Sequence, residues 1–195
     1  MGILVADVVD KGVGAALYMV LCWSLIRTYA AEFPDEPECV LRTVNHRILA
    51  DTSANQFVTI FYGVLDPVTG SLVYCNAGQW PPHLFIGGKN GTTKRLTRTA
   101  LPLGILEDAG CGRGVVELDP GDVLVLYTDG ITEAQDDAEA LYGEERLMAT
   151  AIAHLGGSAQ AIRDAIIEDV RAFIGDAPQF DDIALAVLVR EPAVG

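Results

Sequence analysis

Residues 118–134 read LDPGDVLVLYTDGITEA. Asp119, Pro120 and Gly121 are turn chemistry, since proline presets φ and glycine supplies conformations closed to other residues. Val123 to Thr128 then form a strongly apolar run that predicts a buried strand. Asp129 follows at once, a carboxylate placed at the end of a strand that belongs in a core. Working outward, the same context recurs twice. Ile3 to Ala6 lead into Asp7, and Asp181 with Asp182 precedes the apolar run Ile183 to Val189.

Between these points the period of the sequence changes twice. Gly2 to Val9 predicts a buried strand ending at Asp7 and Asp10. From Gly12 to about Phe33 the residues are small or apolar almost all round, which predicts a core helix whose Gly14, Ala15 and Ala16 allow close packing on a sheet. A second helix follows Pro34 and Asp35 and runs toward Asp51, with Val40, Leu41, Val44, Ile48 and Leu49 on one face. After Asn55, Phe57 to Leu65 and Ser71 to Cys75 flank a turn of Asp66 to Gly70 and predict a hairpin. His83 to Ile86 and Thr92 to Leu96 flank Gly87, Gly88, Lys89, Asn90 and Gly91, while Gly114 to Leu118 and Val123 to Thr128 flank Asp119 to Gly121. Both pairs read as antiparallel meander. Helices return at Glu144 to His154 and Ser158 to Ile174 before the final strand. Strands in the middle with helix pairs on both sides predict an α+β sandwich, sheets inside and helices outside, in a single domain. No internal repeat, low-complexity tract or interdomain linker interrupts it.

The chain has 195 residues, half of them hydrophobic, enough for one substantial core. Lys+Arg 13 against Asp+Glu 27 give a net charge of -14, so the average field repels nucleic acid and anionic lipid. A phosphate-directed site would therefore need local positive charge, which metal ions can supply. Cys22, Cys39, Cys75 and Cys111 are scattered without close pairing, which argues against a zinc knuckle or a redox dithiol and predicts buried thiols in a reducing compartment. The uncharged run Val13 to Ile26, ended by Arg27, is short of the roughly 20 residues that cross a bilayer. Asp7 and Asp10 interrupt any signal-peptide core, and Ala6 spoils a myristoylation match. A cytoplasmic protein without membrane insertion is expected.

A carboxylate at one strand end is more often a turn former or helix cap than a ligand. Three in the same context are different. If the sheets bring them into one cleft, they repel unless a cation holds them ionised. Oxygen ligands without nearby cysteine or histidine favour a hard ion such as Mg²⁺ or Mn²⁺ over zinc. His46, His83 and His154 are isolated and read as ordinary surface or core residues, and Trp23 and Trp80 as packing residues. The glycine-rich turn at Gly87 to Gly91 lies in a hairpin rather than before a helix, so it is not a phosphate cradle. Lys11 and Gly12 either cap the first helix or border a phosphopeptide. No GxSxG elbow, P-loop or DxD nucleophile motif is present.

Six segments together resemble the PPM-type metal-dependent serine/threonine protein phosphatases, in their bacterial SpoIIE/RsbU-like branch. They are ADVVDKGVGAAL (6–17), NAGQWPPHL (76–84), LPLGIL (101–106), LDPGDVLVLYTDGITEA (118–134), YGEERL (142–147) and FDDIALAVL (180–188). The resemblance covers nearly the whole chain. It implies a four-layer αββα sandwich of two antiparallel sheets flanked by helix pairs. It also implies hydrolysis of phosphoserine or phosphothreonine on a regulatory protein of the anti-sigma-factor antagonist type, by water shared between two Mn²⁺ or Mg²⁺ ions. In that scheme Asp7 bridges the ions with the Val8 carbonyl as a further ligand, Asp129 and Asp181 complete the more enclosed ion, and Asp182 holds water on it. Departures are Val9 in place of a histidine of eukaryotic members, Ala184 for a threonine, Gln79 for the histidine of NAGH, and Asp10 for a glycine. Members also carry an upstream strand with a GGDxYD-like motif, so this domain is expected to be truncated at its N-terminus. The second ion is then expected to bind weakly, and the open sheet edge to favour pairing with another copy. A sensor domain upstream is a further expectation. The alternative reading is a weak or inactive phosphatase-like domain that binds a regulatory partner.

Overall fold

In the computed structural model, which describes residues 1–52, 56–88, 91–178 and 181–191, the elements run in chain order as β1 (Gly2–Val8), α1 (Val13–Glu32), α2 (Pro37–Asp51), β2 (Val58–Leu65), β3 (Ser71–Ala77), β4 (His83–Ile86) and β5 (Thr92–Arg95). They continue as β6 (Gly114–Glu117), β7 (Val123–Tyr127), α3 (Asp129–Thr132), α4 (Glu144–His154), α5 (Ala159–Ile174) and β8 (Leu185–Val189). Asn55, the Lys89 and Asn90 tip of the glycine-rich turn, and Phe180 lie outside the described residues. The chain divides into two units, Met1–Pro81 with Leu96–Glu117, and Pro82–Arg95 with Leu118–Gly195.

The first unit holds an antiparallel sheet in the order β1-β2-β3-β6, with α1 and α2 packed on it. Asp66 closes the β2–β3 hairpin. Its carboxylate accepts the Val68 N–H at 2.9 Å and the Thr69 hydroxyl at 2.8 Å, and Gly70 takes the positive φ that ends the turn. On α2, Val40, Leu41, Val44 and Ile48 are fully buried at helical spacing, as the pattern predicts. Each such side chain stabilises the unit by about 1.5–3 kcal/mol. Asn45 shares this face and fastens it. Its amide donates to the Leu106 and Glu107 carbonyls at 2.8 and 3.0 Å, and its Oδ1 accepts the Gly104 N–H at 2.9 Å.

Two expectations about α1 are corrected. The helix buries Ala15, Tyr18, Cys22 and Ile26 but leaves Val13, Leu17, Val20 and Trp23 exposed. A helix that is apolar all round carries no stripe to mark its buried face, and only one face reaches the sheet. Trp23, expected as a packing residue, remains 49% exposed, with the Arg27 guanidinium over its ring at 5.4 Å. Among the described residues, α1 is the one helix long and apolar enough to cross a membrane.

The second unit holds the antiparallel sheet β5-β4-β7-β8 with α3, α4 and α5. All five residues of β7 are buried, at the centre of the sheet. Ser158 caps α5, its Oγ accepting the Ala161 N–H at 3.2 Å, and Ile162, Ile166 and Val170 form the buried face. Arg146 on α4 forms a two-pronged pair with Asp169 on α5, at 3.0 and 2.7 Å, with its guanidinium over Tyr142 and Phe173.

The meander reading fails at one turn. β6 pairs with β3 in one sheet and β7 with β4 and β8 in the other, so Asp119 to Gly121 joins two sheets instead of closing a hairpin. The turn itself is as expected. Gly121 has φ 94, and the Asp122 carboxylate accepts the Asp119 N–H at 2.8 Å and the Gly87 N–H at 3.0 Å. Turn chemistry reports a reversal but not the partner of either strand. The cysteines also depart from expectation. Cys22 and Cys75 are buried, Cys39 and Cys111 are partly exposed, and Cys111 packs against the core cluster that holds Cys75.

Candidate functional site

Asp7 stands near the end of β1, partly exposed, opposite Thr59 in the β1–β2 ladder. The Thr59 hydroxyl lies 3.4 Å from the Asp7 carbonyl oxygen and donates to Gln79 Oε1. Gln79 is 2% exposed, so the site rests on a buried amide where the resemblance has histidine. Val8 pairs with Val58, and the Val9 N–H bonds the Phe57 carbonyl at 3.1 Å as the last rung. The chain then turns sharply. Asp10 has φ 93 and Gly12 φ 96, and the Asp10 carboxylate accepts the Lys11 N–H at 2.9 Å. Aspartate is among the few residues that tolerate positive φ, which accounts for a position where the branch usually has glycine. Gly12 caps α1, its carbonyl accepting the Ala16 N–H at 3.1 Å.

The NAGQ segment is framework for that arrangement. Gly78 has φ 82, and a Cβ there would collide with the Pro102 ring, so NAGQ and LPLG lock together through a glycine. Asn76 is fully buried. Its amide donates to the Leu96 carbonyl at 3.2 Å, and its backbone N–H donates to the Thr99 hydroxyl at 3.0 Å.

In the second unit β7 delivers Thr128 and Asp129 to the segment that precedes β8. The Thr128 N–H bonds the Ala184 carbonyl at 3.1 Å. The Thr128 hydroxyl accepts the Ala184 N–H at 3.0 Å and donates to the Asp182 carbonyl at 3.2 Å. Gly130 completes the junction: a Cβ on it would overlap the Asp182 carbonyl, so only glycine lets the two segments approach this closely. Asp129 is half-buried at the start of α3, and Asp181 and Asp182 are exposed, with Asp181 Oδ1 accepting the Asp182 N–H at 2.9 Å. Three of the carboxylates singled out from the sequence therefore belong to one backbone junction. Asp7 and Val8 lie in the other unit.

His83, expected as an ordinary surface or core residue, is a core residue with a defined polar setting. It is buried on β4, stacked on Tyr127 at 5.9 Å and 4°, with Nε2 3.1 Å from Glu144 Oε1 and 3.3 Å from the Tyr127 hydroxyl. Burial lowers its pKa, against the pull of the Glu144 charge. The neutral ring with its proton on Nε2 suits these partners, and it braces the strand that ends at Asp129. Glu144 also receives Arg95 at 3.2 Å.

The side chains that the second unit gathers at this junction, Asp129, Asp181 and Asp182, offer only oxygen donors, the chemistry that suits a hard divalent ion.

The model of the family described as Stage II sporulation protein E (SpoIIE) matches residues 1–191. The chain belongs to the SpoIIE family. Protein IcfG of Synechocystis sp. is 31% identical over 97% of this chain and 34% of its own length. Phosphoserine phosphatase RsbU of Bacillus subtilis is 29% identical over 98% of this chain and 56% of its own length. The chain thus spans between about a third and just over half of these curated relatives. The SiaA-PP2C domain of Pseudomonas aeruginosa superposes with TM-score 0.84 at 19% identity, covering 96% of this chain and 75% of that one. This SpoIIE-family chain accordingly has the α+β fold of PP2C phosphatase domains, with two antiparallel sheets and helices.

Proposed function

We propose that this chain is a phosphatase domain that removes phosphate from phosphoserine or phosphothreonine on a regulatory protein, of the anti-sigma-factor antagonist kind, and that both units serve it as one domain. The observation that carries the reading is the junction of Gly130 with the Asp182 carbonyl, which sets Asp129 beside the Asp181–Asp182 pair. Membership of the SpoIIE family and the likeness to a phosphoserine phosphatase support it. Asp129 and Asp181 from one unit, and Asp7 with the Val8 carbonyl from the other, are the proposed ligands of Mn²⁺ or Mg²⁺, with Asp182 beside them. When bound, such ions supply the positive charge that an acidic chain otherwise lacks for a phosphoryl group, and acidify the attacking water.

The chain's own residues have definable parts in this reading. Thr59 and Gln79 fix the backbone at Asp7, so its carboxylate leaves the sheet from one defined place. Thr128 ties the Asp129 turn to the 182–184 segment and limits the freedom of both. No side-chain nucleophile is needed. The test is release of phosphate from a phosphoserine protein in the presence of Mn²⁺, with a chelator control and free sugar phosphates as competing substrates. Chelator-sensitive turnover of the phosphoprotein in preference to the sugar phosphates supports the proposal. Equal turnover of both, or turnover that survives chelation, contradicts it.

A further inference from the structure

Cys75 and Cys111 are 36 residues apart in sequence, yet Cys111 packs against the buried cluster that contains Cys75. Thr99 is the clamp. Its hydroxyl lies 3.5 Å from the Cys75 sulfur and accepts the Asn76 N–H at 3.0 Å, while its carbonyl accepts the Gly112 N–H at 3.0 Å. The residues that flank both cysteines are therefore bonded to one threonine. Tyr74 also pairs with Gly114 across the β3–β6 ladder, which brings the two chain segments alongside.

The two thiols differ in access. Cys75 is fully buried in the core of the first unit. Cys111 is partly exposed and lines an open hollow of about 340 Å³ together with Arg42, His46 and Asp108. We propose that Cys111 and Cys75 form a peroxide-responsive dithiol, with Cys111, which lines this hollow, the reacting thiol and the buried Cys75 the resolving thiol. Hydrogen bonding from Cys75 and the charge of Arg42 favour the Cys111 thiolate against burial, and the same hydrogen bond together with burial disfavours that of Cys75. The other two cysteines lack this combination. Burial pushes Cys22 up to about 12, and burial with the Glu36 carboxylate raises Cys39, although Arg42 reaches its sulfur at 2.9 Å.

In the first step the Cys111 thiolate attacks a peroxide oxygen. A sulfur–oxygen bond forms, the O–O bond breaks, and the departing hydroxide takes a proton to become water. In the second step the Cys75 sulfur attacks the Cys111 sulfur, the S–S bond forms, and the hydroxyl leaves with the Cys75 proton as a second water. Two thiols are oxidised by one hydrogen peroxide to a disulfide. Such a link would join β3 to the segment that Asn45 fastens to α2.

The test treats the native chain with limiting hydrogen peroxide and maps thiols by mass spectrometry. The expected result is loss of two hydrogens, an intramolecular link between the peptides bearing Cys75 and Cys111, and Cys111 reacting ~10-fold faster than Cys39. Cys111→Ser should abolish the link. Cys75→Ala should leave Cys111 as a sulfenic acid that dimedone captures, which keeps the two roles separable. Oxidation of Cys39 ahead of Cys111, intermolecular links that leave Cys75 free, or four intact thiols after exposure that oxidises a cysteine peptide would overturn the proposal.

Discussion

The carbonyl oxygen of Asp182 lies against Gly130, in the space that a Cβ on that residue would occupy. A glycine there is a packing requirement and not a conformational one, since its φ is not in the left-handed region. Gly130→Ala should therefore push the 181–182 segment away from Asp129. The expected cost is about 1–3 kcal/mol of stability. Thermal melts should fall by roughly 2–4 °C for each kcal/mol in a chain of this size. Metal-dependent phosphate release should fall further than the stability loss explains, because the displaced segment carries Asp181. Activity retained at the wild-type level would detach this junction from the site.

Asn45 spans from α2 to the 104–107 segment through three hydrogen bonds, and it is almost fully buried. Asn45→Ala leaves two carbonyls and one N–H without their partner. Unsatisfied buried groups cost about 1–3 kcal/mol each, and partial access of water reduces the total. A loss of about 2–4 kcal/mol is expected in denaturant melts. A loss under about 0.5 kcal/mol would show that the segment finds other partners.

Much of this architecture could be read locally. The capped α5 and the fully buried stripe of α2 follow from Ser158 and from apolar residues at helical spacing, so their periodicity decides them. The β2–β3 hairpin follows from the Asp66 turn. What the sequence withheld is what depends on distant pairing. Nothing near Val115 says that its strand joins β3, and nothing near Cys111 says that Cys75 lies beside it. The exposed face of α1 was hidden because Val13, Leu17 and Val20 are as apolar as the buried Ala15 and Ile26. At the candidate site the aspartates stood out by their context. The buried Gln79 and His83 did not, because one reads as a departure from a motif and the other as an isolated histidine.

Asp169 should set part of the acid limb of stability. Hydrogen bonds from Arg146 first, and from Tyr142 and Thr150 after it, hold its carboxyl well below the usual carboxylate range. A depressed folded-state pKa means that the unfolded chain binds the proton more readily. The contribution is therefore fully present above the unfolded value, about 3.9, and is lost as pH falls through that value toward the folded one. Asp169→Asn should flatten the pH dependence of unfolding below about pH 5. At neutral pH it should cost about 1–2 kcal/mol, since the pair is partly solvated. An unchanged acid limb would assign it to other carboxylates.

On the proposed reading, turnover requires a divalent ion held by Asp7, Asp129 and Asp181. The most direct measurement is calorimetric titration of Mn²⁺ into the wild-type chain and into Asp129→Asn, with phosphate release from a phosphoserine protein followed in parallel. Saturable binding by the wild type is expected, with affinity at least about 100-fold weaker in the variant and turnover lost to a similar degree. The metal-free variant should melt no lower than the metal-free wild type, because removing one charge relieves repulsion among the carboxylates. Mn²⁺ binding and turnover that survive Asp129→Asn unchanged would contradict the proposed reading.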